Sequence, residues 1–544
     1  MMHRGAAKSG MSNKAWLRFL ACLMVGVFLS VNLGIGDLFA YTYDGRSNIA
    51  ASAFLDEDSD GDGLGDTWET NYFGSTGAYN GSDDPDGDGY SNLWEYRNGT
   101  DPTDPNDPDN FIGAKGDALQ FLKDMMNKQR TTGKRILYSY ISTGGATDSY
   151  GWTYDNAISA IAFAETGSWQ RVKDILDAYI WFQDRDPQND GRIRRAYWES
   201  LPIDDLHVGD CTLWIPTANA EAASQAVGDM SIMAIIALRY HEYLGVPNSD
   251  YYTFAKKLMD WIQANAYSTN GDGGYNMVRN SLELVGAADR KSTENNIDAY
   301  VAFMKLYEVS NNNAYRTYAL HAKNFILDMW NTTDKMFWTG TLDNGITING
   351  GVNSDVTGYD GVNDTSGQPE DPTTWGFLAL GEATKYGTGV DWVENNCKVT
   401  NMDGYSFGYD FNADRDGIWF EGMGHMALSY QMLLNNTKSD SILDMVMQAQ
   451  DTNWGGIECA SHDGVTTSFG LWTLTDDMHV SPCAWFVLAV DNYNPFWGQA
   501  ITDPIPYEGQ YSSTGTSYIF NDPWISAETL GVAPAADGTA RAMV

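Results

Sequence analysis

Six helical segments of this chain are apolar on nearly every face, and each alternates with a segment that is amphipathic. Residues 157–163 and 232–238 consist almost only of apolar or small side chains, whereas residues 254–264 carry Lys, Asp and Gln among their apolar positions. A helix that is apolar all round must be buried on every side, and an amphipathic helix can cover it. The alternation therefore predicts an all-α domain with six inner helices wrapped by six outer ones.

The predicted helices recur at spacings that fit one helical hairpin plus its loops. Their ranges are 116–130, 154–165, 168–183, 229–243, 250–266, 292–310, 313–331, 372–386, 388–396, 420–435, 437–450 and 482–491. Loops after the outer helices share a glycine motif, as in residues 272–275 and 454–457, which predicts short hairpins on one rim. An open α-solenoid is the alternative fold, but the long aromatic loops favour a closed ring.

Four segments carry a resemblance to a known family: Thr153-Tyr154-Asp155-Asn156-Ala157, residues 292–298 (STENNID), residues 421–426 (EGMGHM) and Asn494-Pro495-Phe496. Together with the alternating helices, they make residues 111–497 similar to the six-hairpin glycosidase superfamily. That resemblance implies an (α/α)6 toroid and a glycan hydrolase, or a polysaccharide lyase of the same fold. It matches no single subfamily, so no catalytic assignment transfers from it.

In such a ring the amino ends of the inner helices converge on the mouth of a funnel, and five of the six begin with an acidic residue. Acids are also common helix caps. Asp371 and Ser481, each followed by proline, are interpreted as caps, and so is Asp229. The other acids lie beside alternative capping groups or aromatic rings, which leaves their carboxyl groups available for chemistry. The predicted catalytic residues are Asp155, Glu294, Asp298 and Glu421.

Glycoside hydrolysis requires two carboxyl groups, and the sequence leaves open which two of the four form the pair. Glu421 follows Trp419 and Phe420, whose apolar surroundings are expected to raise its pKa, so it is the predicted general acid. Glu294 or Asp298 then serves as base or nucleophile, with Asp155 in reserve. Aromatic faces stack on sugars, while amides and imidazoles bind hydroxyl groups. The predicted substrate-binding residues are Trp152, Asn295, Trp375, Trp419, His425, Trp454 and Trp485.

Residues 41–110 hold seventeen acidic and two basic residues, arranged as two copies of one pattern. Alternate oxygen ligands, a glycine for the sharp turn and a closing glutamate are what a twelve-residue calcium loop requires. The predicted calcium ligands are Asp58, Asp60, Asp62, Asp66 and Glu69 in the first loop, and Asp84, Asp86, Asp88, Asn92 and Glu95 in the second. A solvated acidic linker is the alternative.

The acidic segment resembles the thrombospondin type 3 and dockerin-like calcium repeats of secreted proteins, and residues 98–105 look like the repeat boundaries of that family. The resemblance implies calcium as cofactor. It also implies a stiff spacer, or an attachment point for a cell-surface or scaffold partner.

The first 40 residues have the pattern of a secretory signal peptide. Lys14 and Arg18 precede an apolar run from Phe19 to Leu33, and Ala40 ends the segment. An uncleaved anchor is the alternative; otherwise we expect a secreted or cell-surface protein without membrane insertion after cleavage. An oxidising compartment permits one or two disulfides, and Cys459–Cys483 closes the shortest loop.

The chain has 33 basic and 72 acidic residues, a net charge of −39. Such a charge disfavours nucleic acid as a partner, and a carbohydrate polymer or oligosaccharide is predicted instead. The predicted domains are a signal peptide (1–40), the acidic calcium-binding module (41–110), the toroid (111–497) and a C-terminal tail (498–544).

The predicted function is that of a secreted, calcium-binding glycoside hydrolase-like protein. Two alternatives remain open at this point. One is a polysaccharide lyase, which requires a cationic subsite and a tyrosine–histidine pair to abstract a proton. Arg192, Arg194 and Arg195 with His207 are the only candidates for that site. The other is a non-catalytic cell-surface protein that binds glycans.

Overall fold

The structure is a computed structural model. It describes residues 59–60, 62, 64–81, 83–86, 91–92, 95–96, 102–103, 110–127, 135–142, 150–198, 224–277, 290–342, 368–467, 473–503, 505, 533–534 and 540–541. The predicted signal peptide, Asp58, Asp88, His207, Cys211 and most of the predicted C-terminal tail lie outside these residues. The chain divides into two compact units, one comprising Met1–Pro108 with Gly167–Gln170 and the other Asp109–Thr166 with Arg171–Val544. The finer domain limits stay a prediction.

The N-terminal unit contains the short helix α1 (Asp66–Phe73). Its first turn carries Asp66 and Glu69 of the first predicted calcium loop, and it ends at Gly74 in the left-handed conformation. Trp68 on this helix packs against Tyr72 and Tyr96, with ring centroids 5.0 and 5.3 Å apart. An aromatic core therefore holds the helix against the second loop.

The larger unit contains twelve helices in its described residues. They are α2 (Asn110–Asn127), α3 (Thr153–Glu165), α4 (Trp169–Gln183), α5 (Val227–Leu244), α6 (Asp250–Asn265), α7 (Thr293–Ser310), α8 (Asn313–Asp328), α9 (Asp371–Leu380), α10 (Gly389–Asn396), α11 (Phe420–Met432), α12 (Asn436–Gln448) and α13 (Val480–Val490).

These helices form a closed double ring. Helices α3, α5, α7, α9, α11 and α13 pack side by side in chain order, and α13 packs against α3. The outer helices α2, α6, α8, α10 and α12 cover α13, α5, α7, α9 and α11 respectively. Helix α4 bridges two outer neighbours, because Arg171 reaches Met126 of α2 and Asp177 accepts a hydrogen bond from Tyr251 of α6. The predicted (α/α)6 toroid is confirmed, and the solenoid is not.

Two predicted helix limits were wrong by six residues. Helix α2 begins at Asn110 rather than at residue 116. Helix α9 ends at Leu380 rather than at residue 386, because Gly381 and Glu382 both have positive φ angles, 70° and 54°. A short 3₁₀ helix, Tyr386–Thr388, then leads into α10.

Short antiparallel strands connect the helices. They are β1 (Tyr140–Ile141), β2 (Tyr150–Trp152), β3 (Ala196–Trp198), β4 (Arg290–Ser292), β5 (Trp330–Asn331), β6 (Met336–Phe337), β7 (Gly340–Leu342), β8 (Lys398–Met402), β9 (Tyr405–Tyr409), β10 (Ile457–Glu458), β11 (Val465–Thr466), β12 (Thr473–Leu474), β13 (Met478–His479), β14 (Tyr493–Asn494), β15 (Gln499–Ala500), β16 (Ala533–Pro534) and β17 (Ala540–Arg541).

Strand pairing fixes where several inner helices begin. Strands β1, β13 and β10 form a three-stranded sheet, and the pairs are β2–β3, β4–β7, β5–β6, β8–β9, β11–β12, β14–β15 and β16–β17. Strands β2, β4 and β13 each end at the residue before an inner helix. The first turns of α3, α7 and α13 are thereby anchored at the rim of the ring.

The glycine motifs form the predicted rim hairpins. Antiparallel bridges join Tyr267 to Tyr275 and Gln450 to Ile457. Gly274 has a φ of +82°, and a Cβ atom there would lie 2.7 Å from Cγ of Phe325. Glycine is therefore required at this turn both for its conformation and for close packing.

The predicted disulfide is absent. Cys397, Cys459 and Cys483 are buried and free. The Cys483 thiol donates instead to the carbonyl of His479 at 3.2 Å. None of the helices in the described residues is long and apolar enough to cross a membrane.

Candidate active site

The first turns of the inner helices bring a set of titratable side chains together. The Glu421 charge acts on groups from several other helices of the ring, among them Glu294, Glu370 and Asp371. Residues far apart in the chain thus share one site, as expected for a funnel mouth. The set comprises Tyr154, Asp155, Asp229, Glu294, Asp298, Glu370, Asp371, Glu421, His425 and His479.

Glu421 is a buried carboxylate with a hydrogen-bond donor and a histidine close to it. Its Oε1 accepts the Tyr154 hydroxyl at 2.6 Å and lies 3.8 Å from Nε2 of His425. Burial alone would raise the pKa of Glu421, but the interaction with His425, the charge of His479 and the Tyr154 hydrogen bond together lower it. The sequence-based expectation of a raised pKa at Glu421 was therefore wrong.

His425 is fully buried beneath Glu421. Its Nδ1 lies 2.9 Å from Oε1 of Glu370, and the Trp375 indole nitrogen contacts its Nε2 at 3.2 Å. Burial opposes a charged imidazole, but Glu370 and Glu421 raise the pKa of His425. His425 was predicted to bind a sugar hydroxyl. Both of its ring nitrogens are instead engaged inside the protein, so this geometry favours an action on the neighbouring carboxylates.

Glu294 and Asp371 form a carboxyl pair between α7 and α9. Burial and the negative charge of Asp229 raise the pKa of Glu294 to about 7. Burial and the charge of Glu294 raise the pKa of Asp371 well above its ordinary value. Helix α9 has no side-chain cap, so the interpretation of Asp371 as a cap was wrong. Two close carboxyl groups that cannot both ionise retain a proton near neutral pH.

Asp298 is almost completely buried, one turn after Glu294. Its Oδ1 has no hydrogen-bond partner among the described residues. Burial and the charges of Glu294 and Asp229 raise the pKa of Asp298 well above its ordinary value. Asp298 is therefore an enclosed acid whose protonated form is favoured by its surroundings.

Asn295, next to Glu294 in the chain, has a structural role. Ser292 caps α7 by accepting the backbone N–H of Asn295 at 3.2 Å. The side-chain oxygen of Asn295 accepts the Gly228 N–H at 3.0 Å, which ties α7 to α5. Asn295 is buried, so this geometry favours a scaffold role over the sugar contact predicted for it.

Asp155 is held by a histidine that sequence reasoning did not select. His479 Nε2 lies 3.0 Å from Asp155 Oδ2, and both side chains are buried. Burial disfavours a charged His479, but Asp155 raises its pKa well above the ordinary value. The pairing of β1 with β13 places Tyr140 opposite His479, and their rings stack 4.0 Å apart.

The predicted tryptophans divide into a buried and an accessible group. Trp375, Trp419 and Trp485 are buried, and Trp375 stacks against Trp485 at 5.9 Å. Trp152 is only partly buried, and Trp454, in a rim hairpin, is 42% exposed. Of the five, only these two offer ring surface to a sugar.

Sequence reasoning also missed Asp229 as a site residue. It is not a helix cap, because Ala226 holds that position in α5 and no side-chain cap forms. Instead its Oδ2 lies 3.3 Å from Nε of Arg195. Ser481 does not cap α13 either, since His479 precedes that helix without a side-chain cap.

The arginines proposed for a lyase are paired with acids. Arg194 binds Asp186 through two nitrogens, at 2.6 and 3.0 Å, and both residues are buried. Arg192 pairs with Asp190 at 2.5 Å. With Arg195 beside Asp229, the three arginines do not form the cationic subsite that a uronate-cleaving lyase requires.

The first acidic loop gathers oxygen atoms as a calcium site requires. Carboxylate oxygens of Asp60, Asp62 and Glu69 all lie within 4.8 Å of one another. Glu69 is buried, and its Oε2 has no hydrogen-bond partner among the described residues. Burial and the nearby aspartates raise the pKa of Glu69. An all-oxygen set with an unsatisfied buried carboxylate oxygen fits a hard cation.

The remaining predicted ligands are placed less completely. Asp66 accepts two hydrogen bonds from Ser59, at 2.8 and 2.5 Å. In the second loop Asn92 is buried, and its Oδ1 has no partner within the described part. Asp84, Asp86 and Glu95 are described there, whereas Asp58 and Asp88 are not.

Comparison with known proteins finds two kinds of similarity. Residues 58–75 and 84–108 match the family model of the bacterial TSP3 repeat, which confirms the resemblance of the acidic segment to thrombospondin type 3 repeats. No curated protein sequence matches the chain significantly.

Several solved structures are similar to the larger part of the chain. A glycosidase variant in complex with glucose has 9% identity and a TM-score of 0.49, over 71% of this chain and 98% of that one. The cellobiose 2-epimerase of Bacillus thermoamylovorans has 11% identity and a TM-score of 0.48, over 70% and 99%. A D-mannose isomerase has 9% identity and a TM-score of 0.48, over 70% and 98%.

The closed double ring and the matched repeats define the class of this protein. It is a six-hairpin, (α/α)6 toroid protein with bacterial TSP3 repeats near its amino end.

Proposed function

We propose that the toroid is a glycoside hydrolase in which Glu294 is the general acid and Glu421 is its ionised partner. One observation supports this most directly. The surroundings push the pKa values of the two carboxyl groups apart, to about 7 for Glu294 and below the ordinary value for Glu421. Opposite protonation states at neutral pH are what acid and base roles in glycoside hydrolysis require.

The proposed reaction begins with protonation of the glycosidic oxygen by Glu294. The leaving sugar departs as positive charge develops at the anomeric carbon, and the Glu421 carboxylate stabilises that charge. If the carboxyl groups lie about 5–5.5 Å apart, Glu421 attacks the anomeric carbon as nucleophile, and a water deprotonated by Glu294 then cleaves the glycosyl ester and frees Glu421. If they lie about 6.5–9.5 Å apart, Glu421 instead takes the proton of the water that attacks the anomeric carbon. This assignment reverses the roles predicted from sequence.

The accessible aromatic surface supports a carbohydrate substrate. Trp152 and Trp454 retain exposed ring surface, and Glu294 and Tyr154 are only partly buried, so the site is open to solvent. Aromatic faces bind the C–H face of a pyranose, and the acidic side chains can hold its hydroxyl groups. A polysaccharide or oligosaccharide is therefore the proposed substrate class.

For the N-terminal unit we propose two calcium sites. Asp60, Asp62 and Glu69 would hold the first ion, and Asp84, Asp86, Asn92 and Glu95 the second, with Asp58, Asp66 and Asp88 completing the two sets. The bound ions would neutralise the crowded carboxylates, so that folding of this unit depends on calcium. Secretion, and the spacer or attachment role of the repeats, belong to the same proposal.

The hydrolase proposal is tested by release of reducing sugar from a panel of glycans, alongside absorbance of unsaturated ends. We expect hydrolysis without new unsaturation, and Glu294→Gln and Glu421→Gln to lower its rate by at least about 10²-fold. Glu308→Gln, near the far end of α7, is the matched control and should leave the rate unchanged. Glycan binding without turnover in the wild type would instead favour a non-catalytic binding protein.

A further inference from the structure

The hydroxyl group of Tyr154 lies at the junction of three inner helices. Tyr154 is the second residue of α3. Trp485 on α13 donates its indole N–H to the Tyr154 oxygen at 2.9 Å. On its other side the same oxygen lies 2.6 Å from Oε1 of Glu421 on α11. One phenol group on α3 therefore links the proposed catalytic carboxylate on α11 to α13, which lies between these two helices in the ring.

The chemistry of these groups fixes the direction of both hydrogen bonds. An indole nitrogen can only donate, so Trp485 occupies an acceptor position of the Tyr154 oxygen. A phenol has a single proton, and the only acceptor of the two neighbours is the carboxyl oxygen of Glu421. The proton of Tyr154 is thus directed at Glu421, whose Oε1 must be free of a proton to accept it.

The tyrosine ring is also held in place. It stacks on Trp375 with centroids 5.8 Å apart and planes 22° apart, and Trp375 in turn stacks on Trp485. Burial and the adjacent Glu421 charge raise the pKa of Tyr154 well above its ordinary value. Tyr154 therefore keeps its proton, and remains a donor, wherever Glu421 is ionised.

We infer that Tyr154 is a positioning residue that orients Glu421 and stabilises its ionised form, with Trp485 setting the direction of the hydrogen bond. The inference deepens the proposed function and rests on it, since Glu421 is the ionised carboxylate of that proposal.

Other charged groups face Glu421, so Tyr154 is one contributor among several. His425 and His479 favour the ionised carboxylate, whereas the acids of α7 and α9 oppose it. Among the described residues, the titratable groups that act with Glu421 include Tyr140, Tyr154, Glu294, Glu370, Asp371, His425 and His479. Removal of the tyrosine hydroxyl should therefore shift the titration of Glu421 rather than abolish its ionisation.

A titration that needs no substrate tests the inference. The full chain is labelled with ¹³C at the glutamate carboxyl carbons, and the resonance missing from Glu421→Gln identifies Glu421. In Tyr154→Phe we expect the titration midpoint of that resonance to move upward by about one pH unit, because a hydrogen bond to the ionised form is lost. Trp485→Phe keeps the Tyr154 hydroxyl group but removes the hydrogen bond that orients it. This variant should therefore shift the Glu421 midpoint upward by a smaller amount.

Tyr430→Phe is the matched control. Tyr430 donates to Glu394 at 2.8 Å, a second tyrosine–glutamate pair, on α11 and α10. This variant should leave the titration midpoint of Glu421 unchanged. The circular dichroism spectra of all three variants should be those of folded protein. An unchanged midpoint in both Tyr154→Phe and Trp485→Phe, or an equal shift in the control, would overturn the inference. Failure to find any hydrolysed glycan would instead count against the proposed function and leave this titration interpretable.

Discussion

At the scale of single residues, the hydrogen-bond donors and charged groups nearby decide which buried acids are ionised. Glu421 has a tyrosine hydroxyl and two histidines around it, and its pKa falls despite burial. Asp298 and Asp371 are equally enclosed but face other acids, and their pKa values rise. The same kind of side chain thus has opposite protonation states within one funnel mouth.

The pKa of Glu294 predicts the alkaline limit of activity. A general acid must carry its proton, and Glu294 loses its proton near pH 7. We expect kcat/KM on the identified glycan to fall as the pH rises above about 7, and Glu294→Gln to show no such limb in its residual activity. A profile that stays flat to pH 9 would contradict the assignment of Glu294 as the acid.

The variant Asp298→Asn tests whether Asp298 or Glu294 is the catalytic carboxyl group. The folded protein keeps the Asp298 proton, while the unfolded chain releases it above about pH 3.9, so wild-type stability declines as the pH rises beyond that value. The asparagine variant avoids this loss. We expect it to melt a few degrees higher at pH 7, to match the wild type near pH 3.5, and to remain active.

Differential scanning calorimetry at the two pH values measures the stability difference, and the glycan assay measures activity. A large loss of activity with unchanged melting would instead place Asp298 in the catalytic pair. Glu294→Gln provides the comparison: its raised pKa predicts a gain in melting temperature at pH 7 as well, but its activity is expected to fall, whereas that of Asp298→Asn is not.

At the scale of helices and strands, short pairings place the first turns of the ring. Strand β13 ends at His479, and its antiparallel partners β1 and β10 hold that residue at the rim beside Asp155. Neighbouring hairpins depend on glycines whose positive φ angles turn the chain sharply. The site therefore depends on rim elements as well as on the inner helices.

Gly274→Ala tests the packing of one rim hairpin. A Cβ atom at Gly274 adds a collision with Phe325 to the strain of its φ of +82°. Gly404 also has a positive φ, +95°, but nothing lies within 4 Å of the point that an alanine methyl group would occupy there. We expect Gly404→Ala to cost about 1 kcal/mol of unfolding free energy and Gly274→Ala about 1–3 kcal/mol more. Urea denaturation of both variants measures the difference; equal losses would mean that Phe325 moves aside freely.

At the scale of the whole molecule, the two units depend on different interactions. The toroid has a continuous apolar core spread over its inner helices. The N-terminal unit has a small aromatic core and a concentration of carboxylates that repel one another without a cation. Folding of the N-terminal unit should therefore depend on calcium more strongly than folding of the toroid.

Chelation is expected to unfold the N-terminal unit selectively. Added chelator should make residues 58–95 of the full chain sensitive to protease, while the far-UV helical signal stays largely intact. Asp62→Asn combined with Glu69→Gln should show the same sensitivity even with calcium present. The absence of micromolar to millimolar calcium binding in calorimetry, or loss of the helical signal on chelation, would contradict the calcium proposal.

The sequence by itself determined the helices and their burial. Segments apolar on all faces can only be inner helices, and this periodicity is a local property, so α3, α5 and α7 lie within two residues of their predicted limits. The two calcium-loop patterns were likewise readable, because their ligands are adjacent in the chain and follow a fixed spacing.

Only the tertiary structure decided what the acids of the funnel do. Asp371 looked like a helix cap, yet it pairs with Glu294 from another helix, and His479 showed its role only when β13 paired with β1. The apolar neighbours of Glu421 in the chain predicted a raised pKa, but Tyr154, His425 and His479 lower it. A pKa depends on charges and hydrogen bonds a few ångströms away, and closure of the ring sets those distances between residues hundreds of positions apart in the chain.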